Sequence, residues 1–226
     1  MNGLIHSSLY FGMLVSVGAY MLGVWLKKKT GWAILNPLLV AIIVVIAFLS
    51  VFHIEYKEYN RGAVYLGYFL TPATVCLAIP LYKQLELLRQ HLIAVASAIV
   101  AGVAGSVGSI YVMCRFFQLE HTHYVTLLPK SITTAIGMGV SEEAGGIVTL
   151  TVISIIITGI LGNIIADWLF QIFKIEEPIA KGLALGTAAH AIGTAKALEL
   201  GEIEGAMSSL SIAVAGLLTV VVVPLM

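Results

Sequence analysis

Charge is what this sequence has least of. Lysine and arginine together number 12, as do aspartate and glutamate, so charged residues are 11% of the 226 and the formal net charge is zero. An ordinary soluble domain carries about 25% charged residues. The shortage excludes a conventional water-facing surface over most of the chain. It also excludes nucleic acid as a partner, which calls for a basic face. Cysteine is nearly as scarce: Cys76 and Cys114 each sit in an apolar run and read as small hydrophobes, not as a disulfide or a thiolate metal site. His121 and His123 are close in sequence, but two ligands do not complete a metal site. Catalytic signatures are missing too. There is no H-E-x-x-H, no G-x-S-x-G, no Walker loop and no G-x-G-x-x-G. The expectation is a non-enzyme with no cofactor and no metal.

Apolar side chains are abundant, at 59% of residues with a mean hydropathy of +1.00. Lipid is the expected solvent. At about 20 apolar residues per crossing, the chain has room for six to eight membrane segments in one integral membrane domain over residues 1–226. The predicted class is an all-α polytopic membrane protein with broken or re-entrant helices. The first apolar run, 4–26, precedes Lys27, Lys28 and Lys29. A secretory signal peptide has the opposite order, so this run reads as a retained helix. Its lysines belong on the cytoplasmic side, which places the N-terminus outside.

Further segments are expected at 33–52, 63–82, 91–114, 146–173 and 207–226, with loops at 53–62, 83–90, 115–124 and 174–181. Asn36-Pro37 opens the second segment, where proline suits a first helical turn, and Asn36 is a candidate to line a cavity. Pro72, within Thr71-Pro72-Ala73-Thr74, removes an intrahelical bond near the middle of the third segment. Broken backbone at membrane depth survives only in protein or against water, so Thr71 and Thr74 are candidate path-lining residues. Gly102, Gly105 and Gly108 read as helix-packing positions.

Two stretches are too polar and too glycine-rich for ordinary spans: 124–146 and 182–206. A shift of 56 residues lays one on the other. Ala135-Ile136-Gly137 falls on Ala191-Ile192-Gly193, Glu143 on Glu199, Gly145 on Gly201 and Ser131 on Thr187, giving the shared pattern AIG-x5-E-x-G before an apolar helix. Internal repeats are a common construction in transporters, with substrate near the midplane where broken helices meet. The copies differ where chemistry is expected: Lys130 against Gly186, Thr134 against His190, and Val140 against Lys196.

A half-helix starting after Pro129 would present free N–H groups and a partial positive charge at its end. With Lys130, Ser131, Thr133 and Thr134 there, the expected ligand is a small carboxylate. Thr187, His190 and Thr194 follow i, i+3, i+7 spacing and share a predicted helix face, with His190 and Thr194 set to face the lysine group. His190 can carry a proton near neutral pH. Glu143 and Glu199 are the further candidates for proton coupling, and Glu142 is a weaker one. At 24.1 kDa, a homodimer or larger homo-oligomer is expected to shield the polar path from lipid.

The blocks NPLL (36–39), TPATVCLAIPLY (71–82), LLPKSITTAIGM (127–138), GLALGTAAHAIGTAKALE (182–199) and EGAMSSL (204–210) resemble the LrgB/CidB family of bacterial membrane proteins. The family pattern usually has glycine where Thr71 stands, serine where Ala189 stands and arginine where Lys196 stands. The resemblance implies a bacterial inner-membrane location and two functions. Some members were described as holin- or antiholin-like proteins that influence murein hydrolase activity and lysis beside a small LrgA/CidA partner. A plant relative exports glycolate and imports glycerate, and bacterial relatives have been linked to pyruvate. The carboxylate reading agrees with the lysine, hydroxyl and half-helix argument.

Overall fold

In a computed structural model the chain forms two compact units, residues 1–76 and 77–226. The described residues are 10–32 and 34–223, without the side chains of Leu70, Thr71 and Thr74. Among them there is helix and no strand.

The first unit contains α1 (Phe11–Thr30), α2 (Pro37–Val51), α3 (Tyr56–Gly67) and α4 (Leu70–Cys76). Lys27, Lys28 and Lys29 occupy the last turn of α1, where cations suit the helix dipole. α1 packs against both α2 and α3, and Ser16 of α1 shares a 2.6 Å hydrogen bond with the Tyr59 hydroxyl of α3. The expected loop at 53–62 is shorter than its polarity suggests, because α3 begins at Tyr56. Pro72 comes just after a break in its segment: in a continuous helix its ring would clash with the carbonyl of Tyr68, where the helix stops. It sits in the first turn of α4, where a missing N–H costs little, and the interruptions fall at 68–69 and at Leu77.

The second unit begins with the short α5 (Ala78–Lys83) and α6 (Leu85–Gln90). It is built on α7 (Leu92–Phe116), α10 (Val148–Ile172) and α12 (Glu202–Val222), the three helices among the described residues long and apolar enough to cross a membrane. Between α7 and α10 lie α8 (His121–Leu127), a 3-10 turn (Leu128–Ser131) and α9 (Thr134–Glu143). Between α10 and α12 lies α11 (Pro178–Leu200), interrupted at Ala189 and His190, whose backbone leaves the helical region.

The 56-residue shift therefore runs through the architecture. It carries the bounds of α7 onto those of α10, and α9 onto the second half of α11. Each intervening segment doubles back as a hairpin. In a straight helix, residues eight apart are separated by about 12 Å. Yet a methyl group on Gly137 would stand 3.4 Å from the Pro129 carbonyl oxygen, and one on Gly193 would collide with the Leu185 carbonyl. These are the matching glycines of the two AIG motifs. At Gly193 no Cβ fits between the converging arms, whereas at Gly137 the Pro129 carbonyl leaves room for ordinary contact and the tight neighbour is Ile155 Cδ1 of α10.

The two hairpins approach α10 from opposite ends. In hairpin I (residues 121–143), Thr126 accepts from the N–H of Ile147, just before α10 starts, and Thr151 donates to the Thr126 carbonyl. In hairpin II (178–200), Lys181 and Lys196, one on each arm, reach Phe170 and Asp167 near the end of α10. α12 repeats the relation: Gly182 packs on Glu204 at its start, and a cavity joins His121 and Glu143 to Val220 and Val223 at its end. The copies are thus inverted. Both tips reach the middle of α10, where a methyl on Gly137 would touch Ile155 Cδ1 at 2.6 Å and the His190 ring bonds the Ile155 carbonyl.

Candidate functional site

Lys130 is delivered to mid-height by the 3-10 turn before the tip of hairpin I. Pro129 takes φ −83° and ψ 17° there, and Ile132 and Thr133 follow in extended conformation. The half-helix accordingly starts at Thr134 and not directly after Pro129, with Thr133 as its N-cap. Lys130 precedes it and is not part of its first turn.

The lysine finds hydroxyls. Its Nζ donates to Ser131 Oγ at 3.0 Å and to Ser106 Oγ at 3.4 Å, and Ser106 donates to Ser131 at 3.0 Å. Ser106 lies 14 residues into the 25-residue α7. Among the described residues no carboxylate lies within 4.0 Å of the Lys130 ammonium. A charge at bilayer centre costs on the order of 2.5–3.5 kcal/mol on insertion scales, and two neutral hydroxyls offset it only partly.

Lys130, Ser131 and Ser106 line a cavity of about 510 Å³ with Thr187 of hairpin II. Ser131 and Thr187 are repeat mates, so each hairpin contributes its equivalent hydroxyl to one space. The remaining wall is made of small residues such as Gly102, Gly105 and Ala184. Thr187 lies close to α7: a methyl on Gly102 would stand 2.8 Å from its Oγ1.

Other sequence candidates lie elsewhere. His190 and Thr194 do not face the lysine group. The break at Ala189 and His190 ends the helical register that would have aligned them with Thr187. His190 is 3% exposed, with Nε2 2.8 Å from the Ile155 carbonyl oxygen. A carbonyl can only accept, so Nε2 carries the hydrogen and Nδ1 is the nitrogen left for proton exchange. Thr194 donates to the His190 carbonyl and pairs with Ser208 of α12 at 2.7 Å. Thr133 and Thr134 are half-buried at the start of α9. Glu142, Glu143 and Glu199 are exposed at the outer ends of the second arms, away from the tips. Asn36, in the first unit, caps α2: its Oδ1 accepts from the N–H groups of Leu38 and Leu39 at 2.9 and 3.3 Å. The side chains of Thr71 and Thr74 lie outside those described.

A match to the LrgB-like family model extends over residues 16–226, which includes both hairpins. The chain belongs to the LrgB-like family. Its relatives include the antiholin-like protein LrgB of Bacillus mycoides (strain KBAB4), 41% identical over 217 residues, 96% of this chain and 94% of that one. The protein of the same name from Bacillus subtilis (strain 168) is 39% identical over 216 residues, 95% of this chain and 94% of the relative. No solved structure matches. Family membership and the three long apolar helices make it a membrane protein.

Proposed function

We propose that this protein is a secondary transporter of small monocarboxylates of the glycolate, glycerate or pyruvate type, working without a chemical step. The observation that carries the reading is Lys130, a mid-height cation beside two serines and with no carboxylate partner among the described residues, in a cavity shared by two oppositely inserted hairpins. One ammonium suits one carboxylate, and the adjoining hydroxyls suit a polar group on the next carbon. Inverted repeats with broken elements meeting at the midplane are the usual frame for alternating access. Proton coupling belongs to the proposal. His190 is its best-placed candidate, since it lies at a tip, whereas Glu143 and Glu199 lie at the two bases. The bacterial inner membrane, an N-terminus on the periplasmic side and a homodimeric or larger assembly complete the reading.

A second reading is favoured by the relatives, which are named antiholin-like proteins. In that reading the chain influences lysis through assembly with a small LrgA/CidA-like membrane partner. Such a role makes no demand for a lysine and matched hydroxyls at mid-height. Changes in lysis can also follow from altered carboxylate and proton balance.

Uptake of labelled glycolate, glycerate, pyruvate and lactate into proteoliposomes decides between them, with a dye-leakage control and a Lys130→Ala variant. A carrier gives saturable uptake that falls at least about 100-fold in the variant, without dye leakage. Leakage that is indifferent to Lys130→Ala supports the second reading.

A further inference from the structure

The tip of hairpin II has a feature hairpin I lacks. His190 adopts φ 41° and ψ −137°, close to the first central residue of a type II′ turn, a position dominated by glycine. Side chains occupy such backbone only where their surroundings over-determine it. Here those surroundings are one face of α10. Ile155, Gly159, Gly162 and Asn163 follow i, i+4, i+7, i+8 spacing and so point the same way. Each takes a part of the tip. The Ile155 carbonyl accepts from His190 Nε2 at 2.8 Å. A methyl on Gly159 would stand 2.7 Å from both Cε1 and Nε2 of the ring, and one on Gly162 would stand 2.6 Å from Ala189 Cβ. Asn163 Nδ2 donates to the Ile192 carbonyl at 3.2 Å. At the matching positions α7 has Ile99, Val103, Ser106 and Val107, with no glycine.

We propose that this face of α10 is a docking seat for the tip of hairpin II, and that His190 is the positioning residue that holds the tip there. The imidazole works as a donor: its Nε2–H fixes the break that follows Thr187, which lines the cavity. This assignment rests on the geometry of the seat and is independent of what the cavity binds. The histidine named above as the candidate for proton coupling is thereby given a mechanical task as well.

The test is hydrogen–deuterium exchange of the full chain in lipid nanodiscs, read on peptides covering 187–194 and, as a control, on α7. Gly159→Ala displaces the ring, and His190→Gly removes it while easing the backbone. Each is expected to raise exchange at the tip about tenfold and to leave α7 unchanged, while the double variant rises no further than either single. His190→Gln, whose amide N–H can occupy the Nε2 position, is expected to stay near wild type, and His190→Phe to behave like His190→Gly. The seat is overturned if Gly159→Ala and His190→Gly leave the tip protected, or if their effects multiply in the double variant. Donation to Ile155 is overturned if Phe protects the tip as well as His does. Should a glycine variant loosen α7 as well, the Gln and Phe pair decides by itself. Because no substrate enters the measurement, failed uptake and a failed seat are separate results.

Discussion

Hairpins I and II share a length, a break and a glycine at the point of convergence, yet they place polar groups differently. Hairpin I carries its lysine before the tip, at mid-height, against neutral hydroxyls. Hairpin II carries Lys196 on its second arm, paired with Asp167 at 2.7 Å toward the end of α10. At the position of Lys130 it has Gly186, pressed against Ser208 and Ser211 of α12. Among the described residues one copy has a cation with no carboxylate within 4.0 Å, and the other has its lysine paired near the edge. A pseudo-symmetric frame is thus chemically asymmetric, with the two lysines in different surroundings.

That contrast can be broken in steps. The largest expected effect comes from moving the charge. Lys130→Gly is expected to abolish carboxylate uptake while the protein still folds, whereas Gly186→Lys is expected to prevent folding, because any side chain there meets the backbone of α12. Size-exclusion profiles beside uptake check the pair. A smaller effect separates the two convergence glycines. Gly193→Ala drives a methyl into the Leu185 carbonyl, while Gly137→Ala meets chiefly the movable end of Ile155. About 2–3 kcal/mol is expected for the first and about 1 kcal/mol or less for the second, read as a larger drop in Tm for Gly193→Ala. The smallest effect belongs to the edge pair. With Asp167 48% exposed, a double-mutant cycle of Lys196→Met and Asp167→Asn is expected to give a coupling below about 1 kcal/mol and little change in uptake.

Much of this frame is legible in the sequence. The 56-residue shift found through AIG-x5-E-x-G extends to whole helices, with a glycine near the convergence of the arms in both copies. The pairing of Lys130 with Ser131 is legible as well, since the two are neighbours among hydroxyls beside a proline. Ser106 is not, because in sequence it sits among Gly102, Gly105 and Gly108, which read as helix packing. Its i, i+3 relation to Ser109 is the only hint of a polar stripe. Spacing misplaces His190 for a physical reason. Counting i, i+3, i+7 assumes one continuous helix, and the chain reverses at the very residue being counted. The start of α9 is displaced similarly, because the 3-10 turn around Pro129 delays the helix to Thr134. The expected loops at 53–62 and 115–124 contain helix starts at Tyr56 and His121, which local polarity conceals.

Ile155 is completely buried where the two tips meet, its side chain toward one and its carbonyl toward the other. The hairpin bases on either side open onto cavities of about 390 and 400 Å³. Where water follows the hairpins inward, the electrical thickness of the membrane shrinks to the layer around this one isoleucine. The transmembrane voltage, worth about 2.3 kcal/mol per elementary charge at 100 mV, then falls over a few ångströms. In the carrier proposed above, an anion passing Lys130 would cross most of that field in a short stroke, and uptake would then depend on voltage.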